Sequence, residues 1–264
     1  YVEVSLDGPD AKTHDEFRGV NGAFERAVRG IENARDAGIS TGIATTVTRY
    51  NMDKLPEIIE LARKLRVDRF IVFNFIPTGR ARDIVEEDLT PEERERLMNY
   101  LYDEWQKGNL QIFSTSPSYA RVSITRRERK VSTTHFAEFE LPEEFGGAVK
   151  ALTEFIGGCG AGRIYCSIEH NGDIQPCVFI PIKVGNVLRD GFVNVWKNSE
   201  VMKMLRDRDA SDYACNSCSF RYVCGGCRAR AYAYFGDLKA PDPGCILRKE
   251  DWERLKPKEV AIER

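Results

Sequence analysis

Apolar and polar positions along the first 85 residues follow two alternating periods, which predicts strands separated by helices. Short apolar runs at residues 2–6, 41–48 and 69–76 are rich in β-branched residues and predict strands. Between them apolar residues recur at helical spacing, with Asn21 as the predicted N-cap of one helix and Pro56 near the start of the next. Short links between these elements predict a parallel sheet with right-handed crossovers.

The carboxyl ends of the predicted strands are the expected place for a ligand, because sheets of this kind bind ligands there. Three strands are few for such a sheet, and the chain begins on a strand with no lead-in. We therefore expect it to be the later part of a larger β/α fold. The residues that this places near a site are Ser5, Asp7, Thr46, Thr48, Asn74 and Gly79.

The pattern changes again in the second half of the chain. Residues 114–156 show poor periodicity and are predicted to be a linker of irregular structure. Its basic run at residues 126–130 is most simply a solvated patch, with a substrate carboxylate as the alternative partner. Glycine and cysteine become dense from about residue 157, so we predict one domain over residues 1–113 and a second over residues 157–264.

Composition and charge argue against several classes of partner. The 264 residues carry 39 basic and 41 acidic side chains, and the net charge of -2 disfavours a general attraction to nucleic acid or an anionic membrane. No run approaches the roughly 18 apolar residues of a membrane span. The first residues resemble a strand rather than a secretion signal. We therefore predict a cytoplasmic protein with no nucleic acid or membrane partner.

Cysteine carries the strongest chemical signal in the sequence. A four-iron cluster typically takes four thiolates, so the 8 cysteines match two fully ligated clusters with none left over. Two four-cysteine zinc sites would use the same number, and the spacing alone leaves zinc open. Disulfides are disfavoured because the spacing is typical of metal ligands and no secretion signal is present. The cysteines are Cys159, Cys166, Cys177, Cys215, Cys218, Cys224, Cys227 and Cys245.

Local sequence around the cysteines predicts tight turns. An Asn-Gly turn predicts a β-hairpin with Cys166 and Cys177 on its two arms. The two Cys-x2-Cys segments that follow would each bring two thiols to one centre, and the glycines of the second let the backbone approach a cluster closely. A helix is predicted over residues 228–235. Arg228 and Arg230 at its start either offset the negative charge of thiolate-bound iron or lie on the surface.

The cysteine-rich part resembles the SPASM domain of radical SAM enzymes. In that family a cysteine is followed by Gly-x4-Cys, then by a Cys-x2-Cys-x5-Cys-x2/3-Cys block and a final cysteine. Cys159, Gly172 and Cys177 match the first part, and the resemblance covers residues 157–250. It implies two interleaved ligand sets. The first auxiliary [4Fe-4S] cluster would bind Cys159, Cys166, Cys177 and Cys227, and the second would bind Cys215, Cys218, Cys224 and Cys245.

The first part of the chain resembles the later strands of a radical SAM barrel. The run Ser-Leu-Asp-Gly-Pro from Ser5, with His-Asp and Arg-Gly pairs downstream, is similar to the fourth-strand region of SPASM-type enzymes. The resemblance implies that Ser5 and Arg18 contact S-adenosylmethionine, with Thr46 and Ile76 as further contacts. The alternative is that Ser5 and Arg18 only cap and pair locally. The implied fold class is α/β, a partial radical SAM (β/α) barrel followed by a cysteine-rich SPASM domain with a β-hairpin and short helices.

The motif that defines the family is absent from this sequence. Radical SAM enzymes hold the cluster that cleaves S-adenosylmethionine with Cys-x3-Cys-x2-Cys, and no three cysteines here have that spacing. In the family this motif follows the first strand. We therefore expect it, with a third [4Fe-4S] cluster, upstream of Tyr1 in the full-length protein; a degenerate paralogue is the alternative. The residues as given cannot perform the reductive cleavage.

Residues beside the cysteines narrow the reaction that the resemblance implies. Val178 stands where sulfatase-maturating members carry an acidic residue, which disfavours that activity. The segments 159–163, 224–232 and 242–245 resemble the haem synthase and haem d1 branch. That branch implies an oxidoreductase that modifies a tetrapyrrole side chain, for example by oxidative decarboxylation of propionates in haem biosynthesis.

Two other functions stay open at this point. One is a maturase that crosslinks or epimerises a ribosomally made peptide, and the other is a non-catalytic zinc-binding module. The implied partners are a tetrapyrrole or peptide substrate and an electron donor such as ferredoxin or flavodoxin. The sequence assigns no catalytic acid or base.

Overall fold

Four parallel strands in sequence order form the sheet of the first part of the chain. The computed structural model describes residues 1–126, 130–132, 138–140 and 157–253. Each strand pairs in parallel with the next, so their carboxyl ends meet at one edge of the sheet. The strands are β1 (Val2–Ser5), β2 (Thr41–Thr46), β3 (Arg69–Phe73) and β4 (Gln111–Ser114).

Helices connect the strands and cover the sheet with an apolar core. Ile43, Ile59, Phe70 and Leu101 are buried in one cluster that joins the two central strands to the helices. Burial of such side chains is the main term that stabilises the sheet. The helices are α1 (Ala11–Arg18), α2 (Ala23–Asp36), α3 (Leu55–Lys64), α4 (Pro91–Gln106) and α5 (Pro117–Arg126), with 3-10 segments at Met52–Lys54 and Gly79–Glu87.

The predicted alternation of strand and helix is confirmed, and the structure adds three elements to it. Helix α1 is largely polar, so it carries no clear apolar period; Asp10 caps it by accepting a 2.8 Å hydrogen bond from the Thr13 N–H. Strand β4 is only four residues long and has polar residues at both ends. Helix α5 lies inside the segment for which the sequence predicted irregular structure, because its buried face mixes polar and apolar side chains.

The start of helix α4 follows directly from its sequence, since Thr90 before Pro91 predicts an N-cap and first turn. The Thr90 hydroxyl accepts a hydrogen bond from the Glu93 N–H at 3.1 Å. In return the Glu93 carboxylate accepts one from the Thr90 N–H at 2.8 Å. This reciprocal capping box satisfies two backbone donors that the helix itself cannot pair.

We expect Thr90→Ala to lower the free energy of unfolding by about 1 kcal/mol, because the Glu93 N–H loses its acceptor. Urea unfolding followed by far-UV circular dichroism measures the change. Thr90→Ser is the matched control, since it keeps the hydroxyl and should stay close to the parent. If Thr90→Ser lowered the free energy of unfolding as much as Thr90→Ala, the hydroxyl hydrogen bond would not be the source of the stability.

The cysteine-rich part is built from short elements. Strands β7 (Ser167–Ile168), β8 (Asp173–Gln175) and β9 (Gly185–Asn186) form an antiparallel sheet, which confirms the predicted hairpin and adds a third strand. A separate antiparallel pair, β5 (Lys130–Ser132) with β6 (Glu138–Glu140), precedes it. The helices are α6 (Val187–Asp190), α7 (Phe192–Asn198), α8 (Glu200–Arg206), α9 (Arg228–Phe235) and α10 (Lys249–Glu253), with a 3-10 turn at Ile246–Arg248.

Two predictions about this half of the chain have different outcomes. Helix α9 begins and ends at the predicted residues, and Gly236 in the left-handed conformation closes it. In the basic run, Arg126 pairs with Asp103 at 2.6 Å and stacks on Tyr102, while residues 127–129 lie outside the described residues.

None of the described helices combines the length and apolar character that crossing a bilayer requires.

Candidate cofactor sites

The carboxyl ends of β1 and β2 meet around the buried carboxylate of Asp7. Its Oδ1 accepts a 2.8 Å hydrogen bond from the Thr46 N–H, and its Oδ2 pairs with Arg18 Nη2 at 2.5 Å. Burial raises the pKa of Asp7, although the Arg18 guanidinium and the Thr46 N–H oppose the shift. Ser5 ends β1 with an exposed side chain, and Thr46 ends β2 half-buried. Three of the four predicted S-adenosylmethionine contacts therefore lie at one edge of the sheet.

Two residues that support this edge were not among the predicted contacts. His14 Nδ1 accepts a 3.0 Å hydrogen bond from the Asp7 N–H, which places the ring proton on Nε2. Asn51 Nδ2 donates to the carbonyls of Asp7 and Thr46, each at 3.0 Å. The sequence carries no signal for Asn51, because its partners come from loops that only the folded sheet brings together.

Ile76, the fourth predicted contact, belongs to a different environment. It packs in a buried apolar cluster with Ala161, Ile180, Cys177 and Cys227 from the cysteine-rich part. Ile76 follows the carboxyl end of β3 by three residues and also contacts the cysteine-rich part. All four S-adenosylmethionine contacts stay predictions.

Three of the four cysteines predicted for the first cluster lie together. Cys159, Cys177 and Cys227 share the apolar cluster that holds Ile76. The Tyr165 hydroxyl donates to Cys177 Sγ at 3.2 Å. Burial raises the pKa of the Cys227 thiol, and the nearby Cys159 and Cys177 thiols raise it further. Closely spaced thiols raise one another's pKa in this way, because two neighbouring thiolates repel each other. A bound cation removes this repulsion and allows the thiols to ionise.

Cys166 is the member of the first set that stands apart. It packs against a second apolar cluster formed by Ile174, Val195 and Met202. Burial raises the pKa of its thiol, and no other cysteine contributes to that shift. The structure thus brings three of the four together, and the fourth ligand stays a prediction.

All four cysteines predicted for the second cluster line one cavity. Ser118 and Arg121 of helix α5 line the same cavity, so the sheet region contributes to its wall. Burial raises the pKa of Cys245 to about 11, with Asp242 and Cys215 adding to the shift. Four thiols around one cavity match the ligand set of a four-iron cluster. The four are Cys215, Cys218, Cys224 and Cys245.

The second Cys-x2-Cys loop depends on its two glycines. Gly225 and Gly226 have φ of 62° and 66°, a conformation that residues with a side chain rarely adopt. A Cβ on Gly226 would also meet Arg228 Nη2 at 2.6 Å. Glycine at these positions therefore lets the loop turn between Cys224 and Cys227, so that neighbouring cysteines face different ligand sets.

The zinc alternative requires a tighter arrangement, because one zinc ion holds its thiolates about 2.3 Å from a single point. Within the described part of the chain, no three histidine, cysteine or carboxylate side chains are placed to hold one metal ion.

A buried network of charges connects the cysteine loops to the sheet region. Arg230 is fully buried and pairs with Asp88 at 2.6 Å and with Asp242 at 3.0 Å. Asp88 also pairs with Arg94 at 2.6 Å. Asp242 in turn accepts a 2.9 Å hydrogen bond from the backbone N–H of Cys227. The interpretation of Arg230 as a surface residue is therefore wrong, because its guanidinium is an internal link between the two parts.

Comparisons with known proteins agree with this architecture. The SPASM family, described as an iron–sulfur cluster-binding domain, matches residues 159–219. A solved structure of Streptococcus suis SuiB bound to S-adenosylmethionine superposes with a TM-score of 0.65 over 92% of this chain and 53% of that chain. At 20% sequence identity that likeness shows the fold alone.

Relatives of known name are more similar in sequence. The AdoMet-dependent heme synthase of Nitratidesulfovibrio vulgaris is 38% identical over 93% of this chain and 64% of its own length. That of Methanosarcina barkeri is 36% identical over 94% of this chain and 67% of its own length. The mycofactocin maturase MftC of Mycolicibacterium smegmatis is 34% identical over 97% of this chain and 61% of its own length. The chain thus spans about two thirds of the length of these relatives.

These likenesses extend over both parts of the chain, so they confirm the predicted α/β fold with its cysteine-rich domain. They also confirm [4Fe-4S] clusters and S-adenosylmethionine as the cofactors of the family. With four cysteines around one cavity and three more in a second group, the chain belongs to the radical SAM/SPASM enzyme family.

Proposed function

We propose that this protein is a radical SAM oxidoreductase whose cysteine-rich domain holds two auxiliary [4Fe-4S] clusters in the interleaved ligand sets. The observation that carries the proposal is the cavity lined by Cys215, Cys218, Cys224 and Cys245. Cys227 is not among the described residues that line that cavity, and it packs in one apolar cluster with Cys159 and Cys177. Cys166 completes the first set in the proposal.

The residues at the strand ends have separate proposed roles. Ser5, Thr46 and Ile76 contact S-adenosylmethionine, and Arg18, fixed by its 2.5 Å pair with Asp7, presents its remaining donors to the same ligand. When bound, S-adenosylmethionine supplies the radical that abstracts a substrate hydrogen. The Asp7 carboxylate pairs with Arg18 and accepts a hydrogen bond from the Thr46 N–H, so it holds Arg18 and Thr46 in place.

We propose a tetrapyrrole as the substrate, modified by oxidative decarboxylation of propionate side chains. The two relatives named AdoMet-dependent heme synthase, at 38% and 36% identity, support this choice. Val178 agrees with it, because this exposed apolar side chain can neither donate nor accept a proton. The proposal includes an electron donor such as ferredoxin or flavodoxin and a cytoplasmic location.

Metal and sulfide analysis of the anaerobically reconstituted full-length protein tests the clusters. Two auxiliary clusters and the cluster that cleaves S-adenosylmethionine would give about twelve iron and about twelve sulfide per chain. Zinc without sulfide in the cysteine-rich domain would overturn the proposal.

The substrate has its own test. Iron coproporphyrin III carries propionates where haem has vinyl groups. Each conversion would give a hydrogen atom to the 5′-deoxyadenosyl radical, one electron to an electron acceptor, and carbon dioxide. Incubation with S-adenosylmethionine, a reductant for its cleavage and an electron acceptor should therefore yield haem, detected by its absorbance and mass. The mycofactocin maturase likeness, at 34% identity, favours a peptide as the second candidate. A precursor peptide encoded beside the gene is therefore assayed in parallel. Turnover of the peptide without turnover of the porphyrin would replace the first candidate by the second.

A further inference from the structure

Arg228 is a buried cation whose hydrogen bonds all go to neutral acceptors. The side chain is 4% exposed. Its Nη1 donates to the carbonyls of Leu238 at 2.9 Å and Ala240 at 2.8 Å. Its Nη2 donates to the Gly225 carbonyl at 2.7 Å, and its Nε donates to the Gly226 carbonyl at 3.4 Å. No carboxylate of the described residues accepts a hydrogen bond from it.

The two other arginines of this interior are paired differently. Arg230 contacts both Asp88 and Asp242, and Arg94 contacts Asp88. Among the described residues, the carboxylates of Asp88 and Asp242 pair with Arg94 and Arg230, and neither pairs directly with Arg228. A buried charge without a paired counter-charge is unfavourable, so a further negative group close to Arg228 would stabilise it.

The groups that face Arg228 include thiols of both predicted clusters. The guanidinium lies over the Tyr213 ring, 4.8 Å from its centroid. Arg228 and Tyr213 line a cavity together with Cys159 and Cys224. Cys159 belongs to the first predicted set, whereas Cys224 belongs to the second.

We propose that Arg228 is the shared counter-charge of the two auxiliary clusters and raises the reduction potential of both. The inference rests on the proposed assignment of the clusters to these cysteines. A four-thiolate cluster is anionic and gains one more negative charge on reduction. A fixed positive charge in a poorly solvated interior therefore stabilises the reduced form more than the oxidised form. Arg228 thus acts through its charge on the reduction potential of the clusters, without binding them. Arg230 instead links the cysteine loops to the sheet region through its pairs with Asp88 and Asp242.

Redox titration of the full-length holoenzyme, followed by electron paramagnetic resonance, tests the proposal. In Arg228→Gln we expect the ratio of reduced to oxidised auxiliary cluster at a fixed potential to fall about tenfold, which is about 59 mV for a one-electron step. Arg228→Lys keeps the charge and should recover most of the shift.

Arg189→Gln is the control elsewhere in the cysteine-rich part. Arg189 lines neither cavity, and its exposed side chain pairs with Asp190 at 2.9 Å. Removing it should therefore change the ratio little.

A second variant keeps the proposal testable if Arg228→Gln does not load its clusters. Ala210 is half-buried on the wall of the cavity that contains Arg228. Ala210→Glu adds a carboxylate there and should lower both potentials, whereas Ala210→Gln should not. Fully loaded variants with unchanged potentials, or equal shifts in Arg228→Gln and Arg228→Lys, would overturn the inference. Wild-type protein that lacks auxiliary iron would instead overturn the proposed function.

Discussion

Asp88→Ala is expected to lower the free energy of unfolding by about 3–5 kcal/mol, because it removes the carboxylate that pairs with the buried Arg94 and one of the two that pair with the buried Arg230. Asp88 is fully buried and pairs with Arg94 and Arg230, each at 2.6 Å. It also accepts a 2.6 Å hydrogen bond from the Tyr234 hydroxyl. The cost arises mainly from the two cations that remain, since the alanine itself fits the space.

Urea unfolding of the reconstituted full-length protein, followed by intrinsic fluorescence, measures this loss. Asp36→Ala is the matched control, because Asp36 pairs with Arg35 on the surface, with 67% of its side chain exposed. Exposed pairs contribute at most about 1 kcal/mol, so the control should unfold almost like the parent. Equal losses in the two variants would mean that the internal network does not stabilise the fold.

The second large effect concerns the interleaved cysteine sets. Cys177→Ala with Cys227→Ala removes two proposed ligands of one cluster, so we expect the loss of about four iron atoms per chain. The second auxiliary cluster should keep its spectrum, since all its ligands line the other cavity. Iron analysis and electron paramagnetic resonance of the full-length protein report both quantities.

The control removes the same number of cysteines in a different combination. Cys227→Ala with Cys245→Ala takes one ligand from each proposed set, so both auxiliary spectra should change together. If the sets instead followed sequence order, the outcomes of the two double variants would be exchanged. That exchange would refute the interleaved assignment and leave the presence of clusters untouched.

Local sequence was sufficient for elements whose signals are short in range. Thr90 and Pro91 predicted the start of α4, and the capping box forms there because its partners are three residues apart. The Asn-Gly turn predicted the hairpin that places Cys177 after β8. The polar helix α1 and the short strand β4 escaped prediction, since neither shows a sustained apolar period.

The site residues also divide into those that the sequence predicted and those whose position depends on packing. The family resemblance implied which cysteines belong together. Seven of the eight lie in two groups that agree with the implied sets, and the ligand assignment itself stays a prediction. The separate position of Cys166 was not predictable, because it depends on packing against Val195 and Met202, far along the chain. For the same reason the packing of Ile76 against Cys177 and Cys227 was not predictable.

The sequence by itself determined that thiolates are the ligands of this protein's cofactor sites, because the number and spacing of the cysteines are properties of the chain and do not depend on how it packs. Only the tertiary structure decided what the two arginines at the start of α9 do. Arg228 and Arg230 are two residues apart and identical in type, yet one has only carbonyls as acceptors and the other has two carboxylates. Their partners come from distant segments, so the balance of buried charge exists only once the chain is folded.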